Sequence, residues 1–140
     1  MNAIEQKVRD NFGRQAFMVT LGAVMTAVGQ GKVEIEVPFN PRFTQQNEFI
    51  HAGVITSILD SACGYAALTV APEHCDVLSV EFKLSLLVPA AGERFIARGE
   101  VKRAGKTLTF CSGDAFAVKD GREKLIASML ATIMNMQPKK

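Results

Sequence analysis

The chain has 140 residues, 48% of them hydrophobic and 21% charged, enough for one domain with a real core and not for two. Its formal net charge of +2 comes from scattered Lys and Arg residues, which argues against nucleic acid as a partner. No apolar stretch reads as long enough to cross a membrane, the polar start MNAIEQKVRDNFGRQ is no signal peptide, and Cys63, Cys75 and Cys111 form no CxxC pair. These features predict a reduced, cytoplasmic protein with no disulfide framework, no metal and no redox cofactor.

Ile4, Val8 and Phe12 recur at four-residue spacing and predict an amphipathic N-terminal helix over residues 1–14. Residues 17–28, rich in Val, Met, Phe and Thr, read as a first strand turned by Gly29-Gln30-Gly31. Residues 32–37 alternate polar and apolar as a half-buried strand should, and residues 38–50 carry the turn and polar residues of a loop. Residues 53–68 form the one long interior helix. Four more strands follow, at 77–88, 95–102, 107–118 and 124–134, joined by short turns. An antiparallel sheet packed on one buried helix is an α+β architecture, and no linker or repeat divides residues 1–140.

The interior helix, GVITSILDSACGYAAL, has two faces at the helical period. Val54, Ile55, Ile58, Leu59, Ala62, Tyr65 and Ala66 form the stripe that would pack on the sheet. Gly53, Thr56, Ser57, Asp60, Gly64 and Ala67 form the other, small throughout except for one carboxylate. Solvent-facing stripes usually carry long polar side chains; small residues instead permit close approach by another backbone or a slim ligand. Asp60 alone could simply satisfy a backbone donor or pair with Lys83 or Arg103. However, His51-Ala52-Gly53 precedes the helix, whose N-terminus offers free N–H groups and a positive dipole end to a developing negative charge. Oxyanion donors and a carboxylate on one element are the two parts that hydrolysis of an activated carbonyl requires.

The run His51-Ala52-Gly53, with Asp60 nine residues after the histidine and then Ala66-Ala67, resembles the HGG-x6-D-type signature of the phenylacetate-degradation (PaaI-like) hotdog thioesterases. Val77-Leu78-Ser79-Val80-Glu81-Phe82-Lys83 with Leu87-Val88-Pro89-Ala90 resembles that family's strand ending in a Pro-Ala turn. Gly105-Lys106-Thr107-Leu108 resembles its turn after the next strand, so the resemblance reaches over most of the chain. It implies a hotdog fold, a long central helix wrapped by a curved antiparallel sheet, with active sites shared across a homodimer and dimers paired into a homotetramer. It also implies an acyl-CoA thioesterase in which the Ala52 N–H, with Gly53 beside it, polarises the thioester carbonyl. Asp60 of the opposite subunit would attack the carbonyl or activate water, Ser79 would position it, and Gln45 would stand where the family often has Asn. The turn Arg103-Ala104-Gly105-Lys106-Thr107-Leu108 would hold the coenzyme A arm, a role for which Arg103 and Lys106 suit phosphate on their own chemistry. A hotdog dehydratase or hydratase is the competing enzyme class, but the chain lacks an Asp-x-Asn-x-x-His segment. A non-catalytic acyl-CoA-binding module is the competing non-enzyme.

Overall fold

The computed structural model describes residues 1–138. Helix α1 (Ala3–Gly13) starts at Asn2, whose side-chain oxygen accepts from the Glu5 N–H at 2.7 Å. Of its predicted apolar stripe, Val8 is buried, Phe12 half-buried and Ile4 exposed. The stretch read as a first strand divides in two: α2 (Ala16–Leu21) is helical and β1 (Val24–Gly29) is extended. The break is Gly22, at φ 72, a left-handed helix end that a side chain would strain. In α2, Met18 and Leu21 reach the core at three-residue spacing, a helical period inside a β-rich composition.

Strand β2 (Lys32–Pro38) is followed by the loop with a short 3-10 turn at Pro41–Phe43, then by helix α3 (Ala52–Val70). Strands β3 (Asp76–Leu86), β4 (Arg94–Ala104), β5 (Leu108–Lys119) and β6 (Arg122–Met136) complete one antiparallel sheet in the order β1-β2-β4-β5-β6-β3. Val33, Ile35 and Val37 of β2 and Phe95 and Ala97 of β4 are buried, and the charged Glu34, Glu36, Arg94 and Arg98 alternate with them on the opposite face. The sheet thus wraps α3 with one face.

Helix α3 sits unusually low on the sheet. Gly99 and Gly113 are paired across β4 and β5, and a Cβ at Gly99 would lie 2.5 Å from the Ala62 carbonyl carbon and oxygen. A Cβ at Gly113 would lie 3.0 Å from Cys63 Sγ and 3.1 Å from a Leu59 methyl. The two glycines form a seat for α3, and Leu59, Ala62 and Cys63, all completely buried, meet it. Of the seven residues of the anticipated sheet stripe, five are at most 1% exposed, and Tyr65 and Val54 stand at 6% and 9%. Ala67, assigned to the opposite stripe, is also buried, and Tyr65, assigned to the sheet stripe, meets Asn11 and Phe12 of α1.

Helix α3 corrects one reading of the sequence. At 19 residues it is long and apolar enough to cross a membrane by length and composition, although two-thirds of it is buried as the core of this fold. At the sheet margin, β3 pairs with β6 alone among the described residues and exposes Leu78, Val80, Phe82 and Leu86. A long apolar strand with an open edge is a surface that a second chain can extend.

Candidate active site

The first half of the site is the start of α3. His51, at φ −59 and ψ 137, caps the helix: its Nδ1 accepts from the Gly53 N–H at 2.7 Å, which leaves the ring proton on Nε2. Glycine at 53 is what lets the ring fold there, since a Cβ would meet Nδ1 at 2.9 Å. The Gly53 N–H is therefore occupied. The Ala52 N–H donates to no acceptor among the described residues and stands at the positive end of a 19-residue helix. The next polar residues are satisfied within the helix, Thr56 Oγ1 donating to Ala52 O at 2.7 Å and Ser57 Oγ to Gly53 O at 2.6 Å.

Gln45 lies beside this helix start. The loop is folded back by the Thr44–Ile50 bridge and by the His51 N–H donating to Phe43 O at 2.9 Å. Gln45 Oε1 accepts from the Asn47 N–H and, at 3.4 Å, the Phe49 N–H, so its oxygen is held by its own loop and its NH2 is the end available to a ligand. Gln45, Ala52, Ile55, Leu87, Val88 and Ile126 line a cleft of about 480 Å³.

The second half is Asp60 and Ser79. Asp60 is half-buried, and its Oδ1 accepts from Ser79 Oγ on β3 at 2.6 Å. Neither Lys83 nor Arg103 is ion-paired with it among the described residues. A hydroxyl rather than a cation holds the carboxylate, so one oxygen is fixed and the other is left for chemistry. Asp60 and Ser79 open into a separate cleft of about 310 Å³, lined also by Asn11, Gln15, Gly64 and Tyr65.

The sequence points to residues near Tyr65 and to the Phe12–Phe17 segment for the size of the pocket, but assigns no site role to Asn11 or Gln15 by name. Tyr65 donates to Asn11 Oδ1 at 3.0 Å, Ser61 donates to Gln15 Oε1 at 3.2 Å, and Phe12 meets the Tyr65 ring edge-on at 5.7 Å. Burial and the nearby Asp76 push the Tyr65 hydroxyl up to about 12, so it remains a donor. Asn11 lies in the last turn of α1 and Gln15 in the extended residue that precedes α2, so no single period joins them in the sequence.

The turn between β4 and β5 carries Arg103 through Leu108, all exposed. Asn135 of β6 ties it down, donating through Nδ2 to Gly105 O at 3.2 Å and Lys106 O at 3.0 Å, while its N–H donates to Thr107 O at 2.8 Å. The turn is thereby fixed with the Arg103 and Lys106 side chains free of ion pairs among the described residues. A larger cleft, about 530 Å³, opens on the outer face of the sheet and contains none of these groups. Of its two cations, Lys32 and Arg98, the second is held by Glu34 and Glu123 and lies 4.9 Å over the Phe116 ring, which leaves little of it for a ligand.

The two halves of the site cannot meet within one chain. Ala52 and Asp60 are eight residues apart on a single helix, about 12 Å along its axis at 1.5 Å per residue. A reacting carbonyl must lie about 3 Å from both its donor and its nucleophile.

Comparison with known proteins fits this geometry. The description of the thioesterase superfamily matches residues 47–124, from the loop before α3 into β6. A thioesterase family protein from Silicibacter pomeroyi is 48% identical, its structure superposing with a TM-score of 0.95 over 97% of this chain and 100% of that one. The PaaI protein of the E. coli phenylacetic acid degradation operon has the same fold, at a TM-score of 0.86 over 97% of this chain and 95% of that one, with 17% identity. A Saccharolobus solfataricus protein named "putative esterase" is 34% identical over 79 residues, 56% of this chain and 56% of that protein, so the match spans little more than half of its length. The fold is the hotdog, an open six-stranded sheet around a long helix, and the chain belongs to the thioesterase superfamily.

Proposed function

We propose that this protein hydrolyses acyl-CoA thioesters at two equivalent sites, each built from the helix start of one copy and the Asp60 of another. The observation that carries the reading is the separation on α3 of an unpaired Ala52 N–H from a hydroxyl-held carboxylate, about 12 Å along one helix. An antiparallel pairing of β3 with β3 of a second copy would extend the sheet and lay the two α3 helices side by side in opposite directions, bringing Ala52 of each toward Asp60 of the other. Two such dimers would form the homotetramer. No metal or redox cofactor enters the chemistry, and the three free, buried cysteines suit a reducing cytoplasm.

In this reading the thioester carbonyl oxygen accepts from the Ala52 N–H, and the Gln45 NH2 donates to the carbonyl or to the attacking water. His51 fixes the helix start by capping Gly53. Asp60, oriented by Ser79, takes a proton from water as the hydroxide adds to the carbonyl carbon, or adds directly through its free oxygen. The tetrahedral oxyanion rests against Ala52 and the helix dipole. On its collapse the C–S bond breaks and coenzyme A leaves as thiolate, which takes up the proton held by Asp60 on the water route; on the direct route the acyl group stays on Asp60 as a mixed anhydride, which water then cleaves to the free acid, releasing the proton that the thiolate takes up. Arg103 and Lys106 would bind the phosphates, with Ala104, Gly105, Thr107 and Leu108 along the pantetheine arm.

The test is release of free thiol from an acyl-CoA panel. Asp60→Asn and Asp60→Ala should fold and assemble but lose about 10² to 10⁴ in turnover. A variant as active as the parent removes Asp60 from the mechanism.

A further inference from the structure

We propose that Asn11 and Gln15, carried by the N-terminal helices, select the acyl group, and that the preferred substrate carries a neutral hydrogen-bonding oxygen at the far end of a short acyl chain. The inference rests on the thioesterase reading above and adds the substrate class to it.

The Asp60 cleft continues along α3 past Gly64, where an added Cβ would meet nothing within 4 Å. An acyl chain whose carbonyl reacts at Asp60 has this open path to follow. Next to Asp60 the cleft meets Ser61 and Gln15, and further along it Tyr65 and Asn11, polar walls where an enzyme for plain aliphatic chains would have an apolar tube.

The hydrogen bonds at that end have a direction. The side-chain oxygen of Asn11 is taken by the Tyr65 hydroxyl, and that of Gln15 by the Ser61 hydroxyl. Each amide is thus held by its acceptor end against α3, and its NH2 group has no acceptor among the described residues. Both residues are half-buried and line the cleft, so two donor groups face it. A ligand oxygen that entered the cleft could accept from them.

Charge narrows the class. No Lys or Arg lines this cleft, while Asp60 and Asp76 both do. A carboxylate at the acyl end would meet two like charges on the cleft wall, with Arg14 near Tyr65 but outside the lining, so the favoured acceptor is a hydroxyl or carbonyl oxygen. Its distance follows from the helix: Tyr65, which anchors Asn11, is five residues beyond Asp60, about 7.5 Å along the axis.

The test compares kcat/KM for hexanoyl-CoA, ω-hydroxyhexanoyl-CoA and adipoyl-CoA, followed by thiol release. The hydroxylated ester should exceed hexanoyl-CoA about tenfold, the effect of one or two added hydrogen bonds, and adipoyl-CoA should be the poorest. Asn11→Leu and Gln15→Met keep side-chain size but delete the donors, and together they should bring the hydroxyl-to-plain ratio toward one. A merely structural role for these residues would lower both esters alike and leave the ratio intact. Gly64→Leu should obstruct all six-carbon esters while sparing acetyl-CoA, which places the acyl path independently of the amides. Hydrolysis with a ratio of one in the parent, or a ratio that survives both amide substitutions, overturns the assignment and leaves the thioesterase reading standing. Absence of hydrolysis on every ester, with Asp60→Asn indistinguishable from the parent, overturns both.

Discussion

Ala52→Pro separates the helix-start donor from everything else that residue does. Position 52 is the first residue of α3, where proline's fixed φ fits and no intrahelical hydrogen bond is lost. The preceding residue must be extended, and His51 already is, at φ −59 and ψ 137. The His51 Nδ1 to Gly53 N–H cap does not involve the deleted hydrogen. Proline at a compatible position stabilises by about 0.4–1 kcal/mol through the unfolded chain, or about 1–4 °C in Tm for a domain of this size. Against that gain, loss of one oxyanion donor costs about 2.7–4 kcal/mol of transition-state stabilisation, a fall in kcat of about 10²- to 10³-fold. The expected variant is therefore at least as stable as its parent and nearly inactive. Ala52→Gly, which keeps the N–H, should stay within a few-fold of the parent. Thermal unfolding and thiol release measure the two quantities separately. A folded Ala52→Pro protein retaining more than about a tenth of parental kcat would show that the oxyanion is held elsewhere.

Two further outcomes follow from packing and titration. Gly99→Ala inserts a methyl 2.5 Å from the Ala62 backbone where an ordinary contact begins near 3.4 Å, so α3 must rise by about 0.9 Å or the sheet must yield. We expect a loss of about 1–3 kcal/mol, and, because Asp60 rides on the same helix while Ser79 does not, a fall in activity of up to about 10² as the 2.6 Å bond between them stretches. Gly29→Ala, which meets nothing, is the control, and equal melting temperatures for the two would refute the account of the glycine seat. The Cys63 and Cys111 thiols are pushed up, Cys63 by burial, by Cys111 and by Asp60, and Cys111 by burial to about 11. In the unfolded chain these thiols lose their protons near pH 9, whereas the folded protein keeps them, so the unfolded state binds fewer protons and stability falls as pH rises from about 9 toward about 11. Urea unfolding across that interval tests the sign. An unchanged midpoint would contradict it, as would labelling of the native thiols at the rate seen in the unfolded chain.

The parts of the molecule legible in its sequence were those with a long period. Alternation exposed β2, and an apolar stripe over residues 53–68 exposed α3, which in the structure runs from Ala52 to Val70. Short elements were ambiguous: Phe17 to Leu21 has the composition of a strand, and only the buried Met18–Leu21 spacing with the left-handed Gly22 makes it a helix. Asp60 stood out because a carboxylate among Gly, Ser and Ala is unusual, but its hydroxyl partner lies 19 residues away and was reached through the family resemblance. Gly53 was noticed for a different reason from the one the structure provides, since it makes room for the His51 ring as much as for any ligand. Asn11 and Gln15 gave no signal, because what distinguishes them is a hydrogen bond to another helix rather than any pattern of their own.

The distance between Ala52 and Asp60 on α3 also bears on the genetics of the protein. If every site draws its donor from one chain and its carboxylate from another, lesions in the two halves are complementing rather than additive. A dimer of one Ala52→Pro chain and one Asp60→Asn chain concentrates both defects in a single site and leaves its second site whole. Random reassociation of equal amounts of two inactive proteins would make half the dimers mixed, each with one working site, and so restore about a quarter of parental activity. Alleles damaged at opposite ends of this helix could rescue each other in one cell, whereas two alleles damaged at the same end could not.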